Sequence, residues 1–178
     1  MLVDPQGRLM PAIEHAAAVT AALDRLLRGA DLLGVPVRAT EHCAEAIGSA
    51  VAVLAGRLGP ERIIAKRSFD AMAEPGARAA VAALDRPVIA IAGVEAHVCV
   101  AQTALGLRAA GYRVRVVEDA CGSRRAIDRE AGLARLRAAG CVPVTVEALM
   151  FEWCGSADHP AFKAVLSIIK EAGITGAG

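Results

Sequence analysis

Aromatic residues are nearly missing from this sequence. Phe, Tyr and Trp make up 3% of its 178 residues. So small a set leaves little for the stacking platforms on which single-stranded nucleic acid is held. The formal net charge is +1, whereas a nucleic-acid surface shows a clear basic excess. No block of five like charges occurs, and "RSFDAMAEPGAR" reads as solvated surface of mixed sign. No apolar run approaches a membrane span; the densest, "RPVIAIAGV", is strand-sized. The opening "MLVDPQGRLM" lacks the charged-then-apolar pattern of a secretion signal. Cys43, Cys99, Cys121, Cys141 and Cys154 form no C-x-x-C pair. An odd, scattered set fits reduced thiols in the cytoplasm rather than a disulfide framework or zinc site. Neither a G-x-G-x-x-G nor a Walker loop is present, so no nucleotide cofactor is expected.

What is present is an apolar chain, 55% hydrophobic and 22% charged, of a length suited to one domain over residues 1–178. Short β-branched segments alternate with longer helix-like ones. The expected strands are 1–3, 35–40, 62–66, 87–93, 113–119 and 142–146. Their spacing predicts βαβ units and an α/β fold, with a mainly parallel six-stranded sheet covered on both faces, Rossmann-like. Apolar residues recur at helical spacing from Ile13 to Leu33, and Gly34 closes that helix. Gly111 and Gly140 each stop a helix ahead of a strand. A last helix is expected to start near Asp158-His159-Pro160, bury Phe162, Val165, Leu166 and Ile169, and end near Gly173. The first strand has three residues before Asp4 where about five is usual: either the strand is short or the chain starts a few residues further upstream.

Ligands of parallel α/β sheets bind beyond the carboxyl ends of the strands. Asp4 ends the first strand, and Thr40, Glu41 and His42 the second. Lys66 ends the third, Gly93 the fourth, and Glu118 and Asp119 the fifth. Cys99 follows Gly93 in "GVEAHVCVAQTA", at the start of a helix expected over 97–110. Asp4, Lys66 and Cys99 make a chemically sensible set. A thiolate is the reactive form of cysteine, favoured beside a cation and at a helix N-terminus. Lys66 supplies the cation in that reading, and Asp4 either takes the thiol proton or holds Lys66 by charge pairing. Each residue also has a plainer reading: Asp4 as a turn former before Pro5, Lys66 as solvated surface, Cys99 as core packing.

Other signals carry less. "TEHCAE" places Glu41 and His42 as diverging neighbours and reads as a loop without metal. His97 stands two residues from Cys99 on a helix and points away from it. Glu95 reads as a structural or rim group. Cys121 falls in an expected turn, "DACGSR", and Cys43, Cys141 and Cys154 read as fillers.

"VDPQ", the lysine of "AKRSF" and "GVEAHVCVAQTALGLRAAGYRVRVVEDACGSR" resemble the isochorismatase-like cysteine hydrolases. "GVEAHVCV" and "DHPAFKAVLSIIK" are similar to the isochorismatase domain-containing subgroup. The resemblance covers nearly the whole chain. It implies a three-layer α/β/α sandwich and a catalytic triad of Asp4, Lys66 and Cys99. It also implies a cis peptide at Val94–Glu95, so that the Glu95 and Cys99 N–H groups form an oxyanion hole. The zinc-binding Asp-x-His pattern of related nicotinamidases is replaced here by "TEHCAE", so no metal is expected. True isochorismatases need no thiol nucleophile, and a retained Cys99 argues against vinyl ether cleavage.

The expected function is therefore cysteine-dependent hydrolysis of a small-molecule amide or related C–N bond through a thioester, without cofactor. Gln6, His42, Phe69 and Trp153 are candidates for the substrate-binding rim. The expected partners are a small-molecule substrate and further copies of the chain as a homo-oligomer; nucleic acid and membrane are not expected. Two other readings stand: a non-catalytic oligomeric or thiol-sensing protein that keeps the fold, and an isochorismatase-type vinyl ether hydrolase.

Overall fold

The structure is a computed structural model, and it describes residues 1–171. Six strands form one sheet in the order β3-β2-β1-β4-β5-β6. They are β1 (Leu2–Val3), β2 (Ala39–His42), β3 (Ile63–Lys66), β4 (Val88–Val94), β5 (Arg113–Gly122) and β6 (Val142–Val144). Every pairing is parallel. The chain winds outward from β1 through β2 to β3. It then returns to the other side of β1 and winds out through β4, β5 and β6. The reversal between β1 and β4 is where such sheets open a crevice at their carboxyl edge.

Helices α1 (Ala16–Leu32), α2 (Ala44–Ile47), α3 (Ala52–Leu58), α4 (Pro75–Ala82), α5 (Ala101–Ala109), α6 (Ala126–Ala138), α7 (Val146–Cys154) and α8 (Phe162–Lys170) make the connections. The result is a three-layer α/β/α sandwich with two apolar cores. On one face Leu23 and Leu27 of α1 pack with Leu54, Leu149, Met150 and Val165. On the other, Val81, Ile91, Val100, Leu107, Leu133 and Leu136 do the same. Helix α1 shows why the pattern works. Val19, Ala22, Leu23, Leu26, Leu27 and Ala30 are its buried stripe at helical spacing. Gly34 then takes a left-handed φ of 65° that a side chain would resist.

Several boundaries differ from the sequence expectation. Strand β2 starts at Ala39 rather than at residue 35, because its ladders with β1 and β3 begin there, Ala39 lying opposite Leu2 and Ile63. It runs on through Glu41 and His42, which pair with Ala65 and Lys66. Strand β5 does not stop at 119. It continues to Gly122 because β4 remains beside it, with Gly93 opposite Cys121 and Val94 opposite Gly122. Cys121 is therefore a buried strand residue and not a turn residue. Glu118 and Asp119 are interior to the strand; Glu118 pairs with Arg137, and Asp119 accepts the Val146 N–H. The helix expected over 97–110 is split: Ala96–Val100 is a π-helical turn, and α5 begins only at Ala101. In α8 Val165 and Ile168 are fully buried, while Phe162, Leu166 and Ile169 are half-buried. Gly173 lies outside the described residues.

Candidate active site

Asp4 leaves β1 with a left-handed φ of 49° and no exposed surface. Its N–H donates to Thr40 O at 3.1 Å, which fixes it at the carboxyl edge of the sheet. One carboxylate oxygen, Oδ1, accepts a 2.6 Å bond from the Thr40 hydroxyl. The other, Oδ2, lies 2.7 Å from Lys66 Nζ. Lys66 reaches across β2 to make this contact, and its ammonium also donates to Ser68 O at 3.1 Å. Both side chains of the pair are fully buried. Taking two charges out of water is costly, and mutual attraction offsets the cost only in good geometry.

Cys99 is held by the π-helical turn that follows β4. The Glu95 carbonyl accepts both the Val98 and Val100 N–H groups, at 3.0 and 3.2 Å, which winds the turn wider than an α-helix. The Val94–Glu95 peptide is cis. Cys99 is 7% exposed. Its thiol is pushed up to about 12, first by burial and then by the negative charge of Asp4; the Lys66 charge opposes the rise without cancelling it. The depressed pKa expected from the sequence is thus replaced by a raised one. A buried sulfur between a carboxylate and an ammonium gains nothing net from the cation, and the turn presents it within the winding rather than at an α-helix N-terminus.

The turn is braced from the β5–α6 side. The Glu95 carboxylate accepts the Arg124 N–H and Nε–H, each at 3.0 Å. His97 Nδ1 lies 3.1 Å from the Ser123 hydroxyl. Glu95 therefore uses its side chain structurally, as one of its two expected roles. Neither Arg124 nor Ser123 stands out in the sequence. The signal for them is register: Gly122, opposite Val94, delivers the next two residues to the turn.

His42 and Phe69 stack, with ring centroids 5.3 Å apart, and Phe69 is largely exposed. They form an aromatic pair beside Lys66, since His42 is its register partner. Gln6 is different. It is wholly buried; its Nε2 donates to the carbonyls of His42 and Gly48 at 3.0 and 2.5 Å, and its Oε1 accepts the His42 N–H at 2.8 Å. Its amide braces the β2–α2 connection and faces no substrate. Trp153 is also displaced from the expected rim. It lines a cavity with Met1, Arg38 and Val88, at the opposite, amino edge of the sheet. Glu41 is buried and accepts the Ala50 N–H. Among the described residues no three His, Cys, Asp or Glu side chains are grouped to hold a metal ion.

Comparison with known proteins gives a consistent result. The family model described as the isochorismatase domain matches residues 1–148. Isochorismatase domain-containing protein 1 of Salmo salar is 37% identical over 169 residues, covering 94% of this chain and 59% of the relative. Isochorismatase domain-containing protein 2 of Homo sapiens is 36% identical over 176 residues, covering 96% of this chain and 82% of the relative. The chain thus spans about three fifths of the length of the type 1 relatives it matches. Among solved structures, the MAR1 ribonuclease of Caenorhabditis elegans superposes with a TM-score of 0.89 at 30% identity, covering 95% of this chain and 87% of that one. The YcaC gene product of Escherichia coli, described as an octameric hydrolase of unknown specificity, gives 0.89 at 25% identity, covering 98% and 89%.

Proposed function

The chain belongs to the isochorismatase family, and from that premise we propose that it is a cysteine-dependent hydrolase of a small-molecule amide or related C–N bond. The observation that carries the reading is the fully buried Asp4–Lys66 pair acting on the Cys99 thiol at the sheet's switch point. A fold that needed only packing there would be better served by apolar residues.

In this mechanism the free enzyme keeps Cys99 as a thiol. As the substrate carbonyl arrives, Asp4 accepts the thiol proton and Cys99 Sγ bonds to the carbonyl carbon. The backbone N–H groups of Glu95 and Cys99 receive the developing oxyanion. Asp4 passes the proton to the nitrogen, the C–N bond breaks, and the amine leaves a thioester. Water then gives a proton to Asp4 and its oxygen to the acyl carbon, and the restored thiol leaves the acid product. Lys66 holds Asp4 in place and balances its charge. His42 and Phe69 supply the apolar side of the pocket. The chain works in this proposal as one domain, in the cytoplasm, without cofactor, and as a homo-oligomer.

A panel of small amides tests the proposal. Once a substrate is found, Cys99→Ala should lower kcat/KM at least about a thousandfold while leaving the fold intact. Lys66→Met alone strands a buried carboxylate, so the neutral double variant Asp4→Asn/Lys66→Met serves where the single one fails to fold. Full activity in Cys99→Ala would sink the reading.

One observation favours a second reading, a non-catalytic protein that keeps the fold. Cys121, with no Asp–Lys pair beside it, has its thiol raised by burial to about 12 as well. Peptide-resolved iodoacetamide labelling separates the two. The enzyme reading expects Cys99 to react faster than Cys121 across pH 6–9 and to slow in Lys66→Met, which removes the charge that favours its thiolate; equal, negligible labelling of both favours the scaffold.

A further inference from the structure

One side of α5 grips the loop that follows β3. Cys99, Thr103 and Gly106 recur at helical spacing along the nucleophile turn and α5. Thr103 is fully buried, one turn beyond Cys99. Its hydroxyl oxygen accepts the Ala71 N–H at 3.0 Å and donates its own proton to Phe69 O at 3.4 Å. One hydroxyl thus holds both ends of the Phe69–Ala71 segment. Gly106 keeps the same side of the helix open for Asp70. A methyl group at Gly106 would lie 2.5 Å from both Asp70 carboxylate oxygens. Asp70 Oδ1 in turn accepts the Met72 N–H at 2.7 Å.

The loop depends on bonds of this kind. Residues 67–69 make no bond to another main-chain group among the described residues. Side chains hold them instead: Ser68 O accepts from Lys66 Nζ, and the Arg67 and Ser68 N–H groups donate to Glu74. Where a stretch lacks main-chain partners, its position is set by the elements whose side chains satisfy its polar groups. Three elements do so here: β3 through Lys66, the start of α4 through Glu74, and α5 through Thr103. Of these, α5 alone continues directly from the turn that carries Cys99. The segment carries Phe69, whose ring stacks on His42 and is 51% exposed.

We propose that Thr103 is a positioning residue: its hydroxyl sets the gap between the Cys99 sulfur and the Phe69–His42 wall, and through that gap the selectivity of the site for substrates with an apolar arm. The inference rests on the cysteine hydrolase reading above and names a determinant of its substrate class. The nucleophile turn runs straight into α5, so a hydroxyl on α5 ties the wall to the element that holds the sulfur. Placement of this kind matters, because a shift of about 1 Å can cost about a hundredfold in rate. Two bonds from one hydroxyl fix the segment's orientation as well as its distance. Valine has the shape of threonine but makes neither bond, and it leaves the Ala71 N–H without its partner. Serine keeps both. Thr103 touches no substrate; it acts through Phe69.

Labelling of Cys99 by iodoacetamide and by N-benzyl iodoacetamide, read peptide by peptide on the whole protein, tests this without a substrate. The rate ratio, benzyl over unsubstituted reagent, is divided by the same ratio toward glutathione. The wild type should favour the benzyl reagent by about tenfold, Phe69→Ala and Thr103→Val should lose that preference, and Thr103→Ser should keep it. Thr103→Ala removes the same hydroxyl without added bulk and serves where Thr103→Val does not fold. A merely structural role would speed both reagents together, and Cys121 with them, leaving the ratio unmoved. The proposal is overturned if Thr103→Val and Thr103→Ala keep the wild-type ratio while Phe69→Ala lowers it. It is also overturned if Thr103→Ser loses the preference as valine does, or if the wild type has none. Failure of the cysteine hydrolase reading looks different: Cys99 then reacts no faster than Cys121 with either reagent, and the positioning role falls with it.

Discussion

Gly132 of α6 has no side chain, and the turn that carries Cys99 uses the room. A methyl group there would lie 2.7 Å from His97 Cα and 2.9 Å from Ala96 O. Both are backbone atoms of the π-helical turn, so neither can rotate away. Gly132→Ala should therefore displace the turn or α6 and cost about 1–3 kcal/mol. For a chain of this size that lowers Tm by roughly 2–4 °C per kcal/mol, read by calorimetry. An unchanged Tm would mean that α6 does not hold the turn. At this scale the sequence was informative where chemistry follows from a strand end. Asp4 and Lys66 were placed on one sheet edge by counting strands, and the structure brings them to 2.7 Å. It was uninformative where the answer depends on what surrounds a side chain. Gln6 is polar and near the edge, yet its amide is consumed by main-chain partners that only folding supplies. The raised Cys99 pKa was equally invisible, because burial is its largest cause and sequence shows no depth.

At the scale of elements, the errors fall where a neighbour decides. Strand β5 outlasts its expected end because β4 stays beside it, and β2 starts late because its ladders with β1 and β3 begin only at Ala39. Helix α1, whose stripe is local, was readable within a few residues. The connection from β3 to α4 has its own determinant. Glu74 caps it from below, its Oε1 accepting the Ser68 and Arg67 N–H groups at 2.9 and 3.1 Å. Those bonds, Ser68 first, hold the carboxyl down to about 2 from an ordinary 4.5. A carboxyl depressed in the folded state adds stability that is fully present above its unfolded pKa and lost as pH falls through the folded one. Glu74→Gln should consequently melt below the wild type at pH 6, with the gap closing as the pH is taken from 4.5 toward 2. A gap that is the same at both ends would show that the charge on Glu74 does not hold the loop carrying Ser68, the carbonyl partner of Lys66.

For the molecule as a whole, alternation of short apolar strands and helices was enough to give a parallel sheet, and parallel crossovers put helices on both faces. Strand order was not contained in that pattern. The switch between β1 and β4, which places Asp4 next to the Cys99 turn, comes from the chain doubling back. The pattern also says little about which surfaces meet other copies, and here the exposed apolar residues are the guide. The free edge of β6 is short and carries Pro143, which has no N–H to offer another strand. Strand addition at that edge is thereby disfavoured, and two helical faces carry exposed apolar side chains. Ile127 on α6 is 63% exposed, the most of any large apolar side chain among the described residues, and Phe151 on α7 is 38% exposed. Light scattering after size exclusion should accordingly give a multiple of 18.3 kDa. Ile127→Glu or Phe151→Glu, whichever face is used, should reduce that mass without changing the circular dichroism of the fold. A wild-type mass of one chain at micromolar concentration would sink the homo-oligomer, and would leave both faces as ordinary solvated surface.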